Sequence, residues 1–196
     1  MTETYLKFFQ KYNKILDIGS YDGLIVKMLI DQGKEAIGID LIQSNKFVIK
    51  ADAKKLPFKS NSFDCVIFSH IIEHLDFPTL KKILKEVYRV LTDKGIIFIA
   101  TPIEKDIWDD CSHVRPYTFK SIRQLLEQPE YVGGKWKFKI KHHETKVRAN
   151  EILRGVFYHL KLFKFYKRFI VPVQNFLKWG FVEIVVMAEA EKGGEI

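Results

Sequence analysis

Short, nearly continuous apolar runs alternate along the chain with longer stretches whose apolar residues recur every three or four positions. Such runs read as buried strands and such stretches as amphipathic helices. Ile15–Gly19 predicts a first strand, and Asp22–Gln32 a helix with Ile25, Met28 and Leu29 on one face and Gly33 at its end. Ala36–Asp40 predicts a second strand, Lys46–Lys50 a short third, and Phe63–Ser69 a fourth that is wholly apolar from Val66 to Phe68. Leu80, Ile83, Leu84, Val87, Val90 and Leu91 fall at helical spacing, so a helix is expected over Leu80–Leu91. Thr92–Gly95 then reads as a turn before a fifth strand, Ile96–Ala100. Thr118–Glu127 predicts another helix with Thr118 as its N-cap. Trp136, Phe138 and Ile140 alternate with Lys135, Lys137, Lys139 and Lys141, the pattern of a strand whose wet face is guarded by lysines. Phe181–Ala188 is the last expected strand.

Strand and helix in this alternation argue for an α/β fold: a doubly wound, mostly parallel, seven-stranded Rossmann-like sheet with helices on both faces. A chain of 196 residues suits one domain over residues 1–196. Within it, residues 10–130 form the core expected to bind a cofactor, and residues 150–179 an inserted basic and aromatic helical segment before the last strand.

Composition narrows the class. Hydrophobic residues make up 47% and charged residues 29%, a globular composition with no run long enough to span a bilayer. Together with an N-terminus lacking a signal-like apolar stretch, this makes the cytoplasm the expected compartment. Two cysteines, Cys65 in an apolar run and Cys111 in a polar loop, exclude a disulfide framework, and no set of residues has metal-ligand spacing, so no metal is expected.

The candidate chemistry begins where the first strand ends. Gly19 and Gly23 bracket a turn that lets backbone approach a ligand, and the helix behind it offers free N–H groups to an anion. Asp40, ending the next strand, is placed to accept both hydroxyls of a ribose, and Asp52-Ala53, just after the third strand, to accept from an adenine amino group. A dinucleotide pyrophosphate fits poorly, because Tyr21 and Ile25 stand where the G-x-G-x-x-G pattern needs glycine.

Five segments in order carry a family resemblance. They are Ile15-Leu16-Asp17-Ile18-Gly19-Ser20-Tyr21-Asp22-Gly23, then Asp40, then Asp52-Ala53-Lys54-Lys55-Leu56-Pro57-Phe58, then Asn61 to Leu75, then Glu86-Val87-Tyr88-Arg89-Val90-Leu91 ahead of Gly95. Together they resemble the class I S-adenosylmethionine-dependent methyltransferases of the small-molecule, type 11-like group. The resemblance implies that S-adenosyl-L-methionine is the cofactor, with Asp17, Gly19, Ser20 and Gly23 around its methionine part. It also implies Asp40 on the ribose, Leu41 against the adenine, Asp52 and Ala53 at the adenine edge, and Ser69-His70 along the inner wall. Tyr21 departs from the family pattern, which has glycine there.

Methyl transfer to a phenol, hydroxyl or amine also calls for removal of a proton. The candidate bases are His70, His74 and His113, with Asp109 and Asp110 close by in the loop; His113 ranks first and His74 second. The bland alternatives are a packing or capping role for His113 and a helix-start brace for His74. Charge adds a last question. Residues 134–196 hold 13 Lys/Arg against 6 Asp/Glu, whereas residues 1–133 hold 19 against 18, so nearly all of the net +8 lies in the last third. The acid-free stretch Ile152–Val182 interleaves Arg154, Lys161, Lys164, Lys167 and Arg168 with Phe157, Tyr158, Phe163, Phe165 and Phe169. Three readings stay open: a lid over a small-molecule or lipid-like acceptor, a peripheral contact with an anionic membrane, and, less favoured, a nucleic-acid contact. A catalytically silent cofactor-binding module is the alternative from outside the enzymes.

Overall fold

The computed structural model describes residues 2–43, 45–102, 110–146 and 183–192. The inserted segment 150–179, Asp109 and the first two residues of the predicted last strand lie outside these. The elements run α1 (Thr2–Phe9), β1 (Lys14–Ile18), α2 (Leu24–Asp31), β2 (Glu35–Asp40), β3 (Val48–Lys50), β4 (Phe63–Ser69), α3 (Phe77–Val90), β5 (Leu91–Pro102), α4 (Phe119–Glu127), β6 (Phe138–Lys146) and β7 (Glu183–Ala190). The strands form one seven-stranded sheet in the order β3-β2-β1-β4-β5-β7-β6. The pairs β2–β3, β1–β2, β1–β4 and β4–β5 are parallel, while β7 is antiparallel to β5 and to β6.

Side-chain alternation on the strands builds two apolar layers. Ile15, Cys65, Ile67 and Phe98 point to one face and pack with Phe9 of α1, Tyr12 in the loop after it and Leu29 of α2. Leu16, Ile18, Val66, Phe68, Ile97 and Ile99 point to the other, beneath Leu80, Leu84 and Val87 of α3 and Ile122 and Leu126 of α4. Each fully buried aliphatic side chain contributes about 1.5–3 kcal/mol, so α3, burying five, is held mainly by this stripe. Asp76 accepts from Thr79 N–H to start α3, three residues before the predicted Leu80. Thr118 caps α4 as predicted and forms a reciprocal box with Ser121.

Two boundaries differ from the pattern for identifiable reasons. β5 begins at Leu91, not Ile96, because the ladder to β4 pairs Phe63 with Leu91 and resumes at Cys65 with Ile96. Thr92–Gly95 thus bulges out of the ladder, with Lys94 at φ 60°. β6 begins at Phe138 rather than Trp136, whose indole leaves the strand register to donate to the Leu125 carbonyl. As its lysines suggested, β6 is an edge strand, and Lys137 and Lys141 pair with Glu191 and Glu189. Helix α1 has no counterpart among the predicted elements. Its eight residues are too few to show a clear period, and Phe9 is fixed by tertiary packing on Phe98.

Candidate active site

Among the described residues, the buried polar and charged ones are Asp17, Ser20, Glu73, Thr101 and Glu183. All five sit at one edge of the sheet, where parallel strands end and antiparallel β7 begins. β1 and β4, whose connections leave in opposite directions, are neighbours there, so this edge holds the topological switch point at which α/β sheets bind ligands. A groove of about 490 Å³ lies elsewhere, between α3 and the turn Pro129–Val132, rimmed by Lys81, Lys82 and Lys85. It contains none of the buried polar groups, so it is not assigned as the site.

The first half of the site is the turn after β1. Gly19 N–H and Ser20 N–H both donate to the Ile39 carbonyl, at 2.9 and 3.1 Å. Gly19 has φ +71°, and a Cβ there would stand 2.6 Å from Ile71 Cδ1, so only glycine fits between the two loops. Asp40 closes the turn: its Oδ2 accepts from Tyr21 N–H at 3.1 Å and its Oδ1 from Ile42 N–H at 3.2 Å. Tyr21 takes φ 47°, the left-handed conformation a glycine would adopt, and its side chain is 78% exposed. The bulky residue is therefore accommodated by pointing outward, without displacing the backbone. Gly23, at φ +67°, sits at the N-terminus of α2, and Asn45, absent from the sequence reading, donates to the Asp22 carbonyl beside it.

Asp17 lies below this turn, 2% exposed, with no hydrogen bond to its carboxyl group among the described residues. Burial, with Asp22 and Asp40 adding like charge, pushes its pKa up to about 8. Ala51 N–H donates to the Asp40 carbonyl and so brings Asp52 and Ala53 alongside. Asp52 accepts from Lys54 N–H at 2.9 Å, and that bond and the Lys54 ammonium hold its carboxyl below the usual range against slight desolvation. Leu41 is 67% exposed at the rim. The structure thus brings Asp17, Gly19, Ser20, Gly23, Asp40, Leu41, Asp52 and Ala53 together along one edge.

The second half is built of side chains. Ser69 ends β4, and His70 follows in the left-handed region at φ 54°, its N–H donating to the Ala100 carbonyl. The ring stands between two buried acids, with Nε2 3.1 Å from Glu183 Oε2 and Nδ1 3.4 Å from Glu73 Oε1. Burial alone would lower the His70 pKa, but Glu183 and Glu73 outweigh it and raise it to about 9. His70 therefore carries a proton at neutral pH and is a poor base in this state. Glu73 is fully buried, and its Oε2 accepts from Thr101 Oγ1 at 3.1 Å. His74 and His113, the two candidate bases, meet edge to face with ring centroids 4.6 Å apart. His74 does not cap α3, a role Asp76 fills; its Nδ1 instead contacts Ser112. The sequence reading missed Glu73, Thr101 and Glu183, whose only signal is a polar residue in an otherwise apolar run.

A glycine turn after β1, closed by the acid that ends β2 and lying at the switch point of the sheet, is the arrangement of a ligand-binding edge in the doubly wound class. Residues 16–99 match the family model described as a methyltransferase domain, and over these residues the chain is similar to that family. It is 41% identical over 103 residues to the ubiquinone/menaquinone biosynthesis C-methyltransferase of Rickettsia typhi, covering 51% of this chain and 40% of that one. It is 32% identical over 101 residues to the ubiquinone biosynthesis O-methyltransferase of Pelagibacter ubique, covering 45% and 41%. The matches thus span less than half the length of these curated relatives. Among solved structures, a SAM-dependent methyltransferase from Archaeoglobus fulgidus superposes with a TM-score of 0.62 at 23% identity over 95% of this chain and 90% of that one, which shows a shared fold.

Proposed function

We propose that the chain binds S-adenosyl-L-methionine along the Gly19–Asp40 edge and transfers its methyl group to a small-molecule acceptor. The observation that carries this reading is the turn itself: Gly19 wedged on Ile71, and Asp40 held by Tyr21 N–H with its carboxylate at the end of β2. A carboxylate there suits two ribose hydroxyls. The unpartnered, buried Asp17 beneath the turn suits a cationic group such as the amino end of the methionine part, whose arrival favours the ionised acid.

In the reaction the acceptor atom forms a bond to the methyl carbon while the carbon–sulfur bond breaks. The bonding pair returns to sulfur, leaving S-adenosylhomocysteine, and the acceptor's proton passes to a base or to water. The sulfonium is already a good leaving group, so the protein's part is alignment and proton removal. His74 N–H donates to the carbonyl of Ile71, which packs against Gly19, and His113 packs on His74, so the acceptor is assigned to that side, with His113 as the first candidate to take the proton. The two curated relatives are named for methylating carbon and oxygen in quinone biosynthesis, which supports a small, apolar acceptor over a nucleic acid but leaves the methylated atom to experiment.

Calorimetric titration tests the reading. Saturable 1:1 binding of S-adenosyl-L-methionine and of S-adenosylhomocysteine is expected, weakened about 10–100-fold in Asp40→Ala by loss of charge-assisted hydrogen bonds. No binding of either compound would overturn it.

A further inference from the structure

We infer that Glu73, His74 and His113 form a binding site for one divalent transition-metal cation, of the zinc type, on the acceptor side. Residues 73 and 74 belong to the turn after β4 and residue 113 to the segment ahead of α4, so sequence spacing alone gave no metal signal. Folding brings one potential ligand atom of each to within 4.8 Å of the others. Tetrahedral metal–ligand bonds of about 2.0–2.2 Å put ligand atoms roughly 3.3–3.6 Å apart, so closing the set takes a change in separation of up to about 1.5 Å.

The surrounding contacts prepare each ligand. Ser112 Oγ donates to Asp110 Oδ1 at 2.7 Å, so its proton is committed. Toward His74 both Ser112 oxygens, Oγ at 3.1 Å and the carbonyl at 3.3 Å, can then only accept from Nδ1. His74 therefore carries its proton on Nδ1 and presents a bare Nε2 lone pair, the tautomer of a metal-ligating histidine backed by a carbonyl. Glu73 is independently poised. Thr101 holds Oε2, while Oε1 is buried and accepts no hydrogen bond, with His70 Nδ1 3.4 Å away as an ion-pair contact. A buried carboxylate oxygen so placed has lone pairs left to give, and a coordinated cation takes them up.

Two imidazoles and one carboxylate favour zinc, cobalt, iron or manganese over magnesium or calcium. Three protein ligands leave a position open for an acceptor oxygen; with the cation bound, His113 is a ligand and the proton of that oxygen passes to water. Only that last use rests on the proposed methyl transfer; binding of the cation does not.

The test uses the full chain, stripped of metal and without S-adenosylmethionine, titrated with Co²⁺ while its visible bands are followed. One equivalent is expected, displaced by Zn²⁺. His113→Ala should weaken it about 100-fold or more, and Ser112→Ala, which removes one of the two acceptors on His74 Nδ1 and the bond to Asp110, about 10-fold. His142→Ala is the control and should leave it unchanged, and circular dichroism confirms that each variant is folded. Absence of saturable Co²⁺ binding, or binding that His113→Ala leaves within about twofold, overturns the site. Cofactor calorimetry on the same samples keeps that failure separate from failure of the methyltransferase reading.

Discussion

The two halves of the sheet edge are made in different ways. The half proposed to hold the cofactor is mostly backbone: amides of Gly19, Ser20 and Tyr21, one carbonyl and the carboxylate of Asp40, all within residues 17 to 40. The acceptor half is mostly side chains, brought from the turn after β4, the end of β5, the segment before α4 and the start of β7. A backbone-built site depends on where glycine is and fails when a Cβ is added. A side-chain-built site depends on hydrogen bonds between buried groups and fails when one partner is lost. The two halves touch where Ile71 packs against Gly19.

The largest expected effect comes from breaking that touch. Gly19→Ala would force an L side chain to φ +71° and put its Cβ 2.6 Å from Ile71 Cδ1. Strain of about 1–3 kcal/mol plus displacement of the Ile71 side chain should weaken S-adenosylmethionine binding about 10–100-fold by calorimetry. Binding within about tenfold of the parent would mean that the turn is not pinned from the acceptor side.

Asp17 tests whether the cofactor half carries stored electrostatic cost. In the native state it keeps its proton up to about pH 8, against 3.8 when exposed. Unfolding then releases a proton, so stability falls as pH rises between these values. Asp17→Asn removes that term. Its stability advantage over the parent, from urea unfolding at several pH values, should widen by up to about 1.4 kcal/mol per pH unit across this window. A constant difference would show that Asp17 titrates normally.

How much of this was legible in the sequence follows from the same contrast. Gly19, Gly23, Asp40 and Asp52 are readable as candidates because short segments, in order, place glycines in a turn and acids at strand ends. Leu16 and Phe68 on one layer and Ile15 and Ile67 on the other were readable from apolar runs. Glu183 was not, because nothing in a linear pattern says that an acid at the start of the last strand will meet His70. Nor was the pairing of His74 with His113, which depends on how the segment before α4 returns over the turn after β4. Periodicity finds elements, and only the sheet order decides which of their ends meet.

Thr101→Val probes the acceptor half alone. It removes the hydroxyl that donates to Glu73 Oε2 at 3.1 Å while keeping the shape of the side chain. Loss of a hydrogen bond to a buried carboxylate should cost about 1.5–3 kcal/mol in chemical denaturation, with S-adenosylmethionine affinity unchanged within about twofold. An equal loss in cofactor affinity would show that the halves act as one unit.

The smallest effect is expected at Tyr21, and it tests whether the cofactor half is backbone alone. A non-glycine residue at φ 47° costs roughly 1–2 kcal/mol, which glycine would relieve. Glycine also makes the unfolded chain more flexible, which offsets about 0.4–1 kcal/mol of that gain. Tyr21→Gly should therefore stabilise the protein by about 0.5 kcal/mol in thermal unfolding. Because the ring is 78% exposed and the Tyr21 N–H to Asp40 bond survives, cofactor affinity should hold. A tenfold fall in affinity would mean that the phenol ring folds over the bound cofactor, about 1.4 kcal/mol of side-chain contact in the half assigned to backbone.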